Sequence, residues 1–165
     1  MTGSIEFDKG LAELLPRVRR FAHSLSRDPF DGDDLAAQAF ERAIKSRHQW
    51  QEGTRLDSWL FRIVRNLWID EGRSRSRKAR WELPPEFAEK VGHDPRDELD
   101  RNLEVQRVMA AMEQLPDEQR EVVALILVEG FGYREASELL DLPIGTVSSR
   151  LVRGRTALLS LLSEA

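Results

Sequence analysis

Hydrophobic residues recur at steps of three and four along most of the chain, the spacing of one face of an α-helix. The first such stretch extends from Ile5 to Leu25, and Pro16 inside it is expected to kink the helix or to begin a second one. No run alternates between polar and apolar residues as a half-buried strand does. The pattern therefore predicts an all-α fold.

The next two helices follow from the same spacing. Asp28-Pro29 should end the first stretch, and Asp31 or Asp33 should cap a second helix with an apolar face between residues 35 and 44. Residues 46–54 are predicted to form a loop, and a third amphipathic helix should begin near Leu56.

The periodicity disappears between Trp81 and Asp97, where three prolines, one glycine and many acidic residues occur. Helical spacing returns at Leu99, breaks at Pro116 and resumes in a helix whose inner face is expected to hold Val122, Val123, Ile126 and Leu127. Gly130 should end that helix. This organisation predicts two small helical domains, residues 1–81 and 98–165, joined by a flexible acidic linker at residues 82–97.

The charge is unevenly distributed, although the net charge is only −4. Residues 55–80 carry eight basic and three acidic side chains, and residues 82–104 carry three basic and eight acidic ones. A protein that binds nucleic-acid phosphates needs local rather than overall positive charge. The distribution is compatible with DNA binding and also with an ordinary solvated surface.

Composition excludes several classes of function. The chain of 165 residues has no cysteine, so a disulfide scaffold, a thiolate metal site and a thiol nucleophile are all excluded. The three histidines are scattered, and no nucleophile motif or phosphate-binding loop is present. We therefore expect no metal, no cofactor, no small-molecule substrate and no enzymatic activity. No signal peptide or membrane-spanning run is evident, which predicts a cytoplasmic protein without membrane insertion.

The most specific pattern lies between Tyr133 and Leu162. A short helix, a turn at residues 141–143 and a longer helix from Ile144 form a helix-turn-helix arrangement. Polar side chains share the exposed side of the second helix, where hydroxyls can meet phosphates and arginines can pair with guanine. These side chains are Thr146, Ser149, Arg150 and Arg153. An ordinary helical hairpin with solvated arginines remains an alternative at this point.

Four segments in this order resemble the extracytoplasmic-function sigma factors of bacterial RNA polymerase. They are RDPFDGDDLAAQAFERA at 27–43, DSWLFRIVRN at 57–66, LPDEQREV at 115–122 and PIGTVSSRL at 143–151. The resemblance covers nearly the whole chain. The opening of the chain, with Leu14-Leu15-Pro16 followed by Arg20-Phe21-Ala22, also resembles the alphaproteobacterial general-stress branch of the family.

The resemblance implies roles for individual residues. The second helix would dock on core RNA polymerase through Asp33, Asp34, Leu35, Gln38 and Phe40. The −10 promoter element would be opened and read by Trp50, in the loop before the third helix, and by basic and amide side chains in and after that helix, namely Arg62, Arg65, Asn66, Arg73, Arg75 and Arg77. The −35 element would meet Thr146, Ser149, Arg150 and Arg153. Ala39, Ile126 and Ser148 depart from the pattern of many members.

The resemblance also implies partners and regulation. Core polymerase and promoter DNA would be the working partners, and an anti-sigma factor would hold the protein inactive until a stress signal releases it. A different class of function also fits part of the pattern, namely a sigma-like interaction module that sequesters an anti-sigma factor and never binds DNA. Such modules usually accompany a receiver domain, for which this chain has no room.

Overall fold

The computed structural model describes residues 2–78 and 103–164. Helices account for most of both ranges, and neither range contains a strand. The helices are α1 (Thr2–Ser26), α2 (Pro29–Lys45), α3 (Leu56–Lys78), α4 (Leu103–Glu113), α5 (Asp117–Val123), α6 (Tyr133–Leu140) and α7 (Ile144–Ser163). The all-α prediction is confirmed. The predicted linker, 82–97, lies outside the described residues.

The first two helices differ in two respects from the sequence prediction. Pro16 lies inside one continuous helix, so it does not begin a second one. The cap of α2 is Asp28, whose carboxylate accepts a hydrogen bond from the Phe30 N–H at 2.9 Å, so the prediction of Asp31 or Asp33 was wrong. The reason is that Pro29 occupies the first helical position, where its missing N–H costs nothing, and this brings the start of the helix forward.

A π-helical turn at Ala124–Val128 changes the inner face of the C-terminal half. The Glu129 N–H bonds the Ala124 carbonyl oxygen at 2.9 Å, a spacing of five residues instead of four. The extra residue rotates the face, so Leu125 is fully buried and Leu127 is 49% exposed. The prediction that Leu127 faces inward was wrong for this reason. Gly130, at φ 80°, ends the segment as expected.

The two halves of the chain share one hydrophobic core. Phe61 of α3 stacks on Phe21 of α1 with ring centroids 4.9 Å apart, and it forms a T-shaped contact with Phe131 of the C-terminal half, with ring centroids 5.1 Å apart. All three rings are buried. The helices α1–α3 and α4–α7 are therefore packed against each other, a proximity that the periodicity of the sequence did not indicate.

The predicted helix-turn-helix is present. The left-handed residue Asp141, at φ 53°, ends α6, and α7 begins after Pro143. Val147 and Leu151 anchor α7 on the buried side. This fixes which face of α7 is turned to solvent.

Candidate nucleic-acid interface

The exposed face of α7 carries the residues predicted to read the −35 element. Ser149 and Arg153 are exposed, and the Ser149 hydroxyl donates to the Thr146 carbonyl at 3.1 Å. Arg150 is half-buried, with a guanidinium nitrogen 3.7 Å from a carboxylate oxygen of Glu118. The structure thus brings all four predicted side chains to one side of one helix. Ser149 and Arg153 are the most accessible of them.

Asn66, predicted to contact the −10 strand, is exposed on α3 and lines a cleft of about 230 Å³. The cleft lies between α3 and the C-terminal end of α2, and most of its lining is polar. The lining residues are Arg42, Ser46, Gln49, Trp59, Ile63, Asn66, Leu67 and Asp70. Such a cleft offers hydrogen-bonding groups beside an aromatic ring, the combination that suits an unstacked base.

Trp50 is half-buried instead of being presented to solvent. Its ring packs against Phe7 of α1, with centroids 5.6 Å apart, and its indole N–H is buried without a partner among the described residues. The loop that follows it, from Gln51 to Arg55, is exposed and turns at Gly53, which has φ 86°. In this arrangement Trp50 anchors the start of the loop on α1.

The other predicted −10 residues fall into two groups. Arg62 and Arg65 both donate to oxygens of the C-terminal half: Arg62 Nη2 to the Glu138 carbonyl at 2.6 Å, and Arg65 Nε to a Glu121 carboxylate oxygen at 2.5 Å. Arg73, Arg75 and Arg77 lie on the last turns of α3, and their side chains fall outside the part of the structure that is described.

The predicted polymerase-docking residues of α2 divide by burial. Asp33 and Asp34 are exposed, Gln38 and Phe40 are half-buried, and Leu35 is completely buried, so Leu35 supports the helix without forming its surface. Gln38 donates to the Asp34 carboxylate at 2.7 Å. Ala39, one of the departures from the family pattern, is also completely buried and packs in the core.

Asp33 is held by two basic side chains of α1. His23 Nε2 lies 2.8 Å and Arg19 Nη2 3.2 Å from its Oδ1 atom. Desolvation raises the pKa of the Asp33 carboxyl, but the hydrogen bond from His23 and the charges of His23 and Arg19 outweigh it and leave the pKa below its ordinary value. The carboxylate is therefore ionised at neutral pH and adds negative charge to the exposed face of α2.

Two charged residues at the interface between the halves were missed by the sequence analysis. Arg120 of α5 is 2% exposed, and the Glu129 side chain is 1% exposed. Desolvation by burial lowers the pKa of Arg120, whereas the hydrogen bond to Glu129 raises the pKa of Arg20. A signal was available for Arg120, because it lies three residues before the buried Val123 and so on the same helical face.

Within residues 2–78 and 103–164, no group of three or more His, Asp or Glu side chains is placed to hold a metal ion. None of the described helices combines the length and the apolar character needed to cross a membrane.

Comparison with known proteins identifies the family. Residues 11–78 match the model of Sigma-70 region 2, and residues 105–158 match that of Sigma-70 region 4. The chain is 33% identical to the ECF RNA polymerase sigma factor EcfG of Rhodopseudomonas palustris, over 98% of this chain and 87% of that protein. The chain belongs to the extracytoplasmic-function family of RNA polymerase sigma factors.

Further relatives agree with this membership. ECF sigma factor SigE of Mycolicibacterium smegmatis is 35% identical, with 96% of this chain and 62% of that protein covered. The sigma factor RpoE of Bartonella quintana, solved in complex with the anti-sigma factor NepR, is 31% identical, with a TM-score of 0.81 over 96% of this chain and 97% of that one. CnrH, solved with the cytosolic domain of CnrY, is 25% identical, with a TM-score of 0.68 over 96% and 88%.

Family membership determines the general activity. An extracytoplasmic-function sigma factor binds core RNA polymerase and promoter DNA in the cytoplasm and directs promoter-specific initiation. It is not an enzyme, since the chemistry belongs to the polymerase. We call residues 11–78 region 2 and residues 105–158 region 4 from here on.

Proposed function

We propose that this sigma factor docks on polymerase through α2, opens and reads the −10 element with α3, and reads the −35 element with α7. The observation that carries the proposal is the exposed face of α7, which presents Ser149 and Arg153 to solvent. This helix follows α6 after a tight turn, as the second helix of a helix-turn-helix does. Arginine and hydroxyl side chains at this position can reach base edges and phosphates in a major groove.

The −10 assignment rests on the cleft beside Asn66. The side-chain amide of Asn66 can pair with the edge of an unstacked base. Arg62 and Arg65, also on α3, can neutralise phosphates of the opened strand. Arg73, Arg75 and Arg77 would extend this basic surface along α3. Binding energy for the flipped base replaces the lost stacking, so no covalent step is needed.

The polymerase assignment rests on the exposed acidic part of α2. Asp33 and Asp34 present two carboxylates, and Phe40 lies on the same helix as a partly exposed aromatic ring. This combination of an apolar anchor and flanking charge suits a protein–protein interface. The proposed units are residues 1–81, the connecting segment 82–97 and residues 98–165.

We also propose that an anti-sigma factor regulates the protein. Support comes from the two solved relatives, RpoE with NepR and CnrH with the cytosolic domain of CnrY. The identity with EcfG supports the general-stress branch as its place in the family. The exposed Arg153 and Ser149 favour a sigma factor that works on DNA over a module that only sequesters an anti-sigma factor.

Run-off transcription tests the proposal directly. Purified core polymerase is incubated with genomic fragments of the source bacterium, with and without this protein. We expect discrete transcripts only when the protein is present, and their start sites would locate both promoter elements. Folded protein that neither binds core polymerase nor yields transcripts would contradict the proposal and favour the interaction module.

A further inference from the structure

The cleft beside Asn66, called the −10 cleft below, has one wall formed by a short connection. A 3₁₀ turn at Arg47–Gln49 joins α2 to the loop before α3. Ser46 and Gln49 line the cleft, whereas Arg47, which lies between them in the chain, does not. The conformation of this turn therefore decides where two of the polar groups of the −10 cleft lie.

Arg47 is held by the first turns of α1. Its Nη2 atom donates to an Asp8 carboxylate oxygen at 3.0 Å, and its Nη1 atom donates to the Ser4 hydroxyl at 2.9 Å. The same guanidinium lies over the ring of Phe7, 5.2 Å from the ring centroid, which is a cation–π distance. Because the guanidinium is planar, bonds at two nitrogens and contact with one face define its orientation.

Phe7 connects the start of α1 to the aromatic part of the cleft. It is buried, and its ring contacts Trp50 and Trp59 at centroid distances of 5.6 and 5.9 Å. Trp59 lines the cleft, and Trp50 directly follows the 3₁₀ turn. The close approach continues at Gly10, where a Cβ atom would lie 2.6 Å from Leu56 Cδ2. The start of α1 is thus packed against the 3₁₀ turn and the first turn of α3.

The residues that make these contacts precede the matched part of region 2. Phe7 and Asp8 lie before residue 11, where the match to the Sigma-70 region 2 model begins, yet they belong to the same continuous helix. The Arg47–Asp8 pair is at the surface, with side chains 39% and 58% exposed. Since an exposed ion pair adds little to global stability, its effect is expected on the position of the turn and not on folding.

We propose that the first turns of α1, residues 3–10, brace the −10 cleft, and that Asp8 is a positioning residue that acts through Arg47. The brace fixes the cleft wall that carries Ser46 and Gln49. A fixed wall distinguishes bases more strictly, because a wall that is free to move accommodates several bases with similar affinity. The inference rests on the proposed function, since it takes the cleft as the place where the −10 strand is read.

The test is a charge reversal with rescue in the full chain. Asp8→Arg places two guanidinium groups together, Arg47→Asp places two carboxylates together, and the double variant restores an ion pair with the charges exchanged. Asp8→Asn removes the charge without repulsion and replaces any reversal that reduces folding. The matched control is Glu6→Arg, the same charge change at an exposed position of α1, about 200° around the helix axis from Asp8. Thermal unfolding verifies that each variant is folded.

The measurement is base discrimination by the holoenzyme. Fluorescent promoter DNA with an intact −35 duplex and an unpaired −10 element is built from the start sites mapped by run-off transcription, and each −10 position is changed in turn. Discrimination is the ratio of Kd values for mismatched and matched DNA at the position that the wild type distinguishes best. We expect Asp8→Arg and Arg47→Asp each to lower this ratio about fivefold, which corresponds to ~1 kcal/mol, the upper end for an exposed ion pair. The double variant should recover most of the ratio.

Each outcome decides a separate point. Single variants with the ratio of the wild type and of Glu6→Arg would overturn the brace. Equal loss of affinity for matched and mismatched DNA would also overturn it, since added charge alone acts in that way. A lower ratio that the double variant does not restore would overturn the action of Asp8 through Arg47. Failure of the proposed function is seen in the wild type itself, as absence of transcripts or of discrimination at every −10 position.

Discussion

The guanidinium of Arg120 lies 3.1 Å from the main-chain carbonyl oxygen of Leu25, although the two residues are 95 positions apart. The same side chain also donates to the carbonyl of Ser24 and, at 3.0 Å, to that of Leu115. The carbonyls of Leu25 and Ser24 belong to the last turn of α1, where helix geometry leaves main-chain carbonyls without an intrahelical partner. A single arginine of region 4 thus completes a helix end of region 2.

Substituting Arg120 should destabilise the whole chain. We expect Arg120→Met to lower the free energy of unfolding by about 2–4 kcal/mol, because it leaves buried carbonyl groups without donors. Arg120→Lys should fail to rescue, since a compact ammonium cannot reproduce the planar fork of a guanidinium. Urea denaturation measures both, with the exposed Arg134→Lys as control. A lysine variant as stable as the wild type would contradict this role.

Gly154 of α7 packs tightly against α5. A Cβ atom at this position would lie 2.7 Å from Val123 Cγ2 and 3.3 Å from the Gln119 carbonyl oxygen. We expect Gly154→Ala to destabilise region 4 by about 1–3 kcal/mol, because overpacking outweighs the better helix propensity of alanine. Gly72→Ala is the matched control.

The control for Gly154 should change stability in the opposite direction. A Cβ on Gly72 in α3 meets nothing within 4 Å, so alanine there should gain about 0.5–1 kcal/mol from propensity alone. Thermal unfolding compares the two variants with the wild type. Equal effects of both substitutions would contradict the close approach at Gly154.

Asp57, at the start of α3, should contribute stability that depends on pH. Burial raises the pKa of this carboxyl, but hydrogen bonds from Arg55, the Ser58 N–H and Arg17 outweigh it and leave the pKa below its ordinary value. A carboxyl whose pKa is lowered in the folded state stabilises the protein at pH values above its pKa in the unfolded chain, ~3.9. This stabilisation is lost as the pH falls through the pKa of the folded state.

We therefore expect Asp57→Asn to cost about 1–3 kcal/mol at neutral pH. The difference from the wild type should shrink as the pH falls below about 4. Urea titrations at a series of pH values measure it, with the exposed Glu13→Gln as control. A difference that stays constant down to pH ~2 would show that the charge of Asp57 is not responsible.

Arg153 should carry base discrimination at the −35 element. Arg153→Ala should reduce the free energy of promoter binding by about 1–3 kcal/mol if the guanidinium forms two hydrogen bonds with the edge of one base. Arg155→Ala removes the same charge from the same helix about 200° around the axis and is the matched control. Anisotropy titration of the holoenzyme at fixed salt, on matched and scrambled −35 sequences, distinguishes base contact from phosphate contact. Equal losses on both sequences would mean that Arg153 meets only phosphate.

Asn66 should act in promoter opening instead. We expect Asn66→Ala to slow strand separation about fivefold, which corresponds to about 1 kcal/mol for one lost hydrogen bond to the flipped base. Permanganate reactivity of −10 thymines follows the opening, with the exposed Gln114→Ala as control. A promoter with a pre-opened bubble should restore the variant, whereas a defect that persists on it would place Asn66 elsewhere in initiation.

The sequence by itself determined the local structure and the candidate surfaces. Helical periodicity, the Asp28-Pro29 stop and Gly130 follow from dihedral and hydrogen-bonding preferences of a few neighbouring residues, which are encoded locally. The exposed face of α7 follows in the same way, because Val147 and Leu151 fix the buried side and leave Ser149 and Arg153 opposite.

Only the tertiary structure decided how distant residues meet. The burial of Arg120 and Glu129 depends on the packing of region 4 against region 2. The same packing places Phe61 between Phe21 and Phe131 and brings the Glu138 carbonyl to Arg62. Packing of this kind is a sum over contacts between residues far apart in the chain. Periodicity within a helix carries no information about which distant helix will cover its exposed arginines.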